Sequence, residues 1–188
     1  MKVTIDNQNE LVLEADLKPI NEWWISSTAK IYKEDRLIYS VEIDNNPIFT
    51  GYEQIIINDY REINQINIIT KTKKESIIET ELALDEYLDK FIPASRKVAD
   101  YFYGDINEEH WAEFSQLVEG LNWIVNSLDF LQILYGDQDS LISIISQLKS
   151  AIGELSGSLN QAEYVLTADL LNYEIIPLLE KMKTKTIN

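Results

Sequence analysis

Within residues 105–135 the apolar positions Phe114, Leu117, Leu121, Ile124, Leu128, Leu131 and Tyr135 recur at alternating spacings of three and four. At about 100° per residue, that spacing keeps all of them on one side of an α-helix. Trp111, Val118 and Val125 widen the same side, and Trp123, Phe130 and Leu134 form a second row roughly opposite. A helix apolar on two sides needs cover on two sides. The stretch is therefore expected at the centre of a bundle, or with one face on a partner. Residues 105–108, or Asn107 alone, should cap its start, and Gly136 should close it.

Helical periodicity extends to both sides of this stretch. Thr72-Lys73-Lys74-Glu75 fits a capping box, and Ile77, Leu84, Leu88 and Phe91 follow with helical spacing. Pro93 removes a hydrogen bond and crowds the preceding turn. The pattern thus predicts a helix over 73–92, a kink or break, and a second piece over 94–103 ended by a left-handed Gly104. Beyond Gly136, Leu141, Ile145, Leu148, Ile152, Leu155 and Leu159 keep a heptad-like spacing. Gly153, Gly157 and Ser158 weaken it, and residues 160–163 look like a new cap. Two helices, 139–157 and 161–182, are preferred over one long bent helix. Pro177 should kink the last one, Lys181, Lys183 and Lys185 suit a helix C-terminus, and residues 186–188 are expected to fray.

The pattern before residue 72 is different. Residues 2–5 and 11–17 read as short strands around a turn-rich linker. Trp23, Ile25, Ala29 and Ile31 alternate, as do Leu37, Tyr39, Val41 and Ile43, with the polar run 33–36 between them. A β-hairpin is preferred there. A helix over 19–33 is the rival, since Pro19 suits a first helical turn but Ser26, Ser27 and Thr28 are poor helix formers. Residues 44–47 are a turn, 52–62 a short helix, and the β-branched run 66–70 a buried strand. The expectation is an α+β chain: a small, mostly antiparallel β-rich domain over 1–72, then an antiparallel helical bundle over 73–188.

Charge narrows the partners. The chain has 188 residues and a net charge of −16. No Lys or Arg occurs between Lys97 and Lys149, nor between Lys149 and Lys181. Phosphate contacts need basic groups, so nucleic acid and anionic membrane surfaces are both disfavoured as partners. There is no long apolar run at the N-terminus and none of ~20 residues elsewhere, so neither a leader nor a span is expected. With no cysteine, thiolate chemistry is absent and a cytoplasmic location fits. Ile-rich and Asn-rich usage suggests an AT-rich bacterial source.

The catalytic inventory is sparse. His110, the sole histidine, stands between Glu109 and Glu113. A metal or small-ligand site would use this cluster, but transition-metal sites ordinarily recruit more than one imidazole or thiolate. Residues 137–140 open like a calcium loop and then run into Leu141 and Ile142, which favours a helix cap. Glycine-rich phosphate loops and a nucleophile elbow are both missing. No metal and no cofactor is expected, and no enzyme. The reading is a cytoplasmic protein-binding chain, an adaptor, assembly factor or chaperone-like partner of a basic or amphipathic helix; the alternatives are a structural homodimer and a metal- or small-ligand-binding protein using the acidic cluster near His110. Candidate partner-binding residues are Trp123, Phe130, Leu134, Trp23, Trp24, Tyr101 and Tyr103, because large aromatics are enriched at binding hot spots.

Overall fold

A computed structural model of the chain describes residues 1–136 and 138–185, the side chains of 184 and 185 excepted. Asp137, which begins the calcium-loop-like run 137–140, the Lys185 side chain and the C-terminal residues 186–188 lie outside the described residues. The fold is α+β, and the chain divides into two compact units, Met1–Ser76 and Ile77–Asn188.

The first unit holds strands β1 (Lys2–Ile5), β2 (Gln8–Val12), β3 (Arg36–Ile43), β4 (Asn46–Ile48) and β5 (Gln65–Thr72), with helices α1 (Leu17–Lys33) and α2 (Tyr52–Asp59). The sheet order is β2-β1-β5-β3-β4. Only the β1–β5 pair is parallel; the other pairs are antiparallel. Register sets one row, Val3, Ile66, Ile68, Val41 and Ile43, on a single face. Ile20, Trp23 and Ile31 of α1 and Ile56 of α2 complete that core. On the opposite face Asn67 is fully buried. It accepts from Thr4 Oγ1 at 2.8 Å and from the Asn7 N–H at 3.1 Å, and it donates to Asn7 Oδ1 at 2.9 Å and Glu42 Oε2 at 2.7 Å. Every hydrogen-bonding position of the amide is thus engaged, which is the condition for burying it cheaply.

Residues 19–33 are helix, not the first arm of a hairpin. Asp16 accepts from the Lys18 N–H and caps α1. The apparent Trp23-Ile25 alternation is a by-product: Ile20, Trp23, Ser27 and Ile31 share the buried face, while Ile25 is exposed. The poor helix formers do not unwind it, because Ser26 and Thr28 hydroxyls donate to Trp23 and Trp24 carbonyls in the preceding turn. The polar run 33–36 becomes a helix-to-strand turn with Asp35 left-handed at φ 56°. The second strand also lies earlier than expected, at 8–12 instead of 11–17. Asp44 and Asn45 turn the chain with positive φ, and β4 follows as a short edge strand carrying Pro47, where a missing N–H costs no ladder bond.

Helix α3 (Lys73–Tyr101) begins in the first unit and runs on into the second, which also contains α4 (Glu108–Tyr135), α5 (Asp139–Asn160), α6 (Tyr164–Leu170), a π turn (Leu171–Ile175) and α7 (Ile176–Lys185). Cross-helix bonds fix the directions. Tyr135 meets Glu81, and Lys97 meets Glu113, so α3 and α4 are antiparallel. Asp129 meets Lys149 on α5, and Ser158 meets Thr167 on α6. Arg96 with Glu180, and Asp89 with Lys183, return α7 to α3. The expected capping box starts α3, with the Glu75 N–H donating to Thr72 Oγ1 and the Thr72 N–H donating to Glu75 Oε2.

Pro93 does not break α3, which runs unbroken from Lys73 to Tyr101. Ser95 Oγ donates to the Phe91 carbonyl within that turn, and burial of Phe91, Ile92, Val98 and Ala99 holds both halves in one register. Gly104 lies in the following turn without left-handed backbone. Gly153 and Gly157 are both accommodated within α5, and the chain turns only at 161–163, where Ala162 adopts φ 57°. The preferred division into two pieces therefore holds with later bounds, and the second piece is α6, the π turn and α7 in succession. Before Pro177 the helix widens into the π turn, which absorbs the missing N–H.

Candidate partner-binding surfaces

The central helix is attached to α3 through a close approach at Gly120. A Cβ built there would stand 2.3 Å from Phe91 Cε2 and 2.4 Å from Tyr87 Oη. Absence of that carbon lets both rings lie on the α4 backbone. Tyr87 then stacks on Phe91 at 5.3 Å and meets the Trp123 ring at 4.6 Å. Along the same seam runs a cleft of about 590 Å³ with Phe91, Val98 and Leu117 in its floor and Glu109 and Glu113 on its α4 side. Trp123 is thus half covered from within its own bundle, and Phe130 is exposed to the same degree. Leu134 is buried, so the second row is not a uniform free face. Ile133, which belongs to neither apolar row, is the most exposed large apolar residue on α4, at 77%.

Tyr101 belongs to a polar cluster at the other end of this helix pair. Its ring stacks on His110 at 3.9 Å, and its hydroxyl donates to Glu113 Oε2 at 2.9 Å. Lys97 Nζ donates to both Glu113 oxygens. The Lys97 ammonium, then the Tyr101 hydroxyl, hold the Glu113 carboxyl below its ordinary range. His110 is used structurally: its N–H donates to Asn107 Oδ1, and Nδ1 accepts from the Asn107 N–H, closing a capping box. Among the described residues no group of three or more His, Asp or Glu side chains converges on a cation position.

Next to this cluster the bundle ends in aromatic rings. Phe102, Trp111, Phe114 and Tyr164 meet edge-on or tilted, with centroids 5.1–6.1 Å apart. Phe102 and Phe114 are buried, whereas Trp111 and Tyr164 are exposed. Tyr103 is exposed as well, and its hydroxyl donates to Asp169 Oδ1 at 2.6 Å. That bond, to a carboxylate, pushes the Tyr103 phenol pKa up. Val165, at 60% exposure, sits beside Tyr164 and one turn before Asp169. Trp111 and Tyr164 were separated in the sequence by more than fifty positions, so only the return of α6 reveals the patch.

Trp23 and Trp24 lie in the first unit. Trp23 is buried in the core under the sheet. Trp24 packs against Tyr52 at 5.7 Å and lines a small apolar cleft of about 150 Å³ with Leu17, Ile20, Ile56 and Ile57. The expected partner residues therefore do not form one site: Trp23 is core, Trp24 faces α2, Tyr101 stacks on His110 next to Trp111 in the chain, and Tyr103 is tied to Asp169 of α6, the helix that brings exposed Tyr164 against Trp111 and carries exposed Val165.

Among the described residues no helix is long and apolar enough to cross a membrane. A family model described as a domain of unknown function, DUF8042, matches residues 79–185, more than half of the chain and nearly all of the helical unit. No curated protein and no solved structure matches the chain.

Proposed function

We propose that this chain, which belongs to the DUF8042 family, is a non-enzymatic protein-binding protein of the cytoplasm, acting as an adaptor, assembly factor or chaperone-like partner. The observation that carries this reading is the exposed aromatic end of the helical bundle. Trp111, Tyr103 and Tyr164 remain accessible there although the rings beneath them are packed. Aromatic side chains supply large contact area at low entropic cost, which is why they dominate binding hot spots. The net charge of −16 adds long-range attraction for a basic partner and speeds encounter. His110, the residue on which acid–base chemistry would most naturally rest, has its backbone N–H and Nδ1 engaged in a helix cap.

The test is affinity capture with the tagged full chain, identification of retained proteins by mass spectrometry, and reconstitution with the purified candidate under light scattering. The expected result is a defined hetero-complex. A strict monomer that reconstitutes with none of the retained proteins would overturn the reading. A concentration-dependent dimer retaining nothing would instead favour the homodimer, whose face would be Phe130 and Ile133 on α4.

A further inference from the structure

We infer that the surface formed by Tyr103, Trp111, Tyr164 and Val165 is the docking site, and that its occupant is a basic amphipathic helical segment of another protein. This rests on the protein-binding reading above and adds the place and the chemistry. Three elements build the surface: the turn after α3 supplies Tyr103, the first turn of α4 supplies Trp111, and the start of α6 supplies Tyr164 and Val165. Trp111 stands nearly perpendicular to Phe102 and Phe114, at 86° and 89°. These buried rings lock its orientation, so the exposed indole is pre-organised, and little entropy is lost when something packs on it.

Charge decides what packs there. Glu108 lies three residues before Trp111, Glu163 immediately precedes Tyr164, and Asp169 holds the Tyr103 hydroxyl. Among the described residues none of these three carboxylates has a Lys or Arg within ion-pair distance. The stretches that supply α4 and α6 contain no Lys or Arg. A second copy of the chain would bring the same carboxylates face to face, which costs energy. An anionic lipid surface is repelled for the same reason. A helix with apolar residues at i, i+3 and i+4 and Lys or Arg flanking them satisfies both components: its apolar stripe covers Val165 and the rings, and its cations meet the acid rim or lie over the aromatic faces.

The experiment uses the full chain and three labelled synthetic probes followed by fluorescence anisotropy. One is an amphipathic Leu/Lys helix, the second replaces each Lys with Glu, and the third keeps the Lys pattern but replaces each Leu with Ser. The Leu/Lys probe should bind at least tenfold tighter than either of the others. Val165→Lys should weaken it at least tenfold, and Glu163→Lys severalfold; both positions are exposed, and unchanged circular dichroism melts verify the fold. Ile133→Ser, roughly six turns along α4 from Trp111, should leave binding unchanged. Equal binding of the Lys/Ser probe, or loss of binding in Ile133→Ser and not in Val165→Lys, overturns the site. If a natural partner is captured equally by wild type and Val165→Lys, the site fails while the protein-binding reading stands. If no partner is retained at all, that reading fails first.

Discussion

Replacing Gly120 by alanine tests the packing on which the helical unit depends. In an exposed helix interior, Gly→Ala stabilises by about 1 kcal/mol, because glycine loses more backbone freedom on folding. At Gly120 the new methyl would meet Phe91 Cε2 at 2.3 Å and Tyr87 Oη at 2.4 Å, where carbon contacts settle at roughly 3.5–4.0 Å. Both side chains must therefore move by about 1 Å. Tyr87 has a free end, but Phe91 is buried and stacked on it, so relief requires α3 and α4 to separate. Overpacking of this kind costs about 1–3 kcal/mol, and two simultaneous clashes place it near the top. The net expectation is a loss of about 2 kcal/mol, or a melting temperature lower by roughly 5–10 °C. Urea unfolding with unchanged m-value measures it. Gly153 and Gly157 provide the control, since nothing lies within 4 Å of a Cβ at either. Alanine there should stabilise by about 0.5–1 kcal/mol each. In a Phe91→Ala background only the Tyr87 Oη contact remains, at the free end of that side chain, and the Gly120→Ala penalty should shrink. Should Gly120→Ala stabilise as much as Gly153→Ala, the close approach of α3 to α4 is refuted.

Asn67→Leu, in the first unit, deletes an amide at a position with no exposure and strands the buried Thr4 Oγ1, while the exposed Asn7 N–H and the half-buried Glu42 carboxylate turn to water; a loss of about 2 kcal/mol is expected in chemical denaturation, and a loss below about 0.5 kcal/mol contradicts the buried network. The Tyr135 phenol is pushed up to about 12 by burial and then by its bond to Glu81. Because its folded pKa exceeds the unfolded value of 10.0, its stabilising contribution is complete below pH 10 and disappears as pH rises toward 12. Stability measured across that window should fall in wild type more than in Tyr135→Phe, and parallel curves would remove Tyr135 from the account.

Much of the helical half could be read before any coordinates. The row from Phe114 to Leu131 is buried as its spacing requires, and the Thr72–Glu75 box caps α3 as written. These features need only neighbours one turn away, so local chemistry suffices. Residues 19–33 show where it does not. Trp23 and Ile25 satisfy a period of two as well as Ile20, Trp23 and Ile31 satisfy the helical one, and serine propensity tilted the choice the wrong way. The Asp16 cap and a core waiting above the sheet tipped it to helix. Pro93 is the converse case: a rule about one missing hydrogen bond, about 3 kcal/mol, is outweighed by apolar burial spread over both halves of a 29-residue helix.

From sequence alone follow the α+β order, the acidic helical half, and the seam of the central helix, because periodicity and charge are properties of neighbouring residues. Tertiary structure alone decided which aromatics stay exposed. Trp111 and Tyr164 come together only when α6 returns to the end of α4, and Gly120 acquires its meaning only when Phe91 arrives from α3. The second apolar row of α4 was visible as a pattern, yet its members met different fates: Leu134 is buried, Trp123 lies against Tyr87, and Phe130 remains exposed. Periodicity states which side of a helix a residue occupies; what covers that side depends on elements far away in the chain.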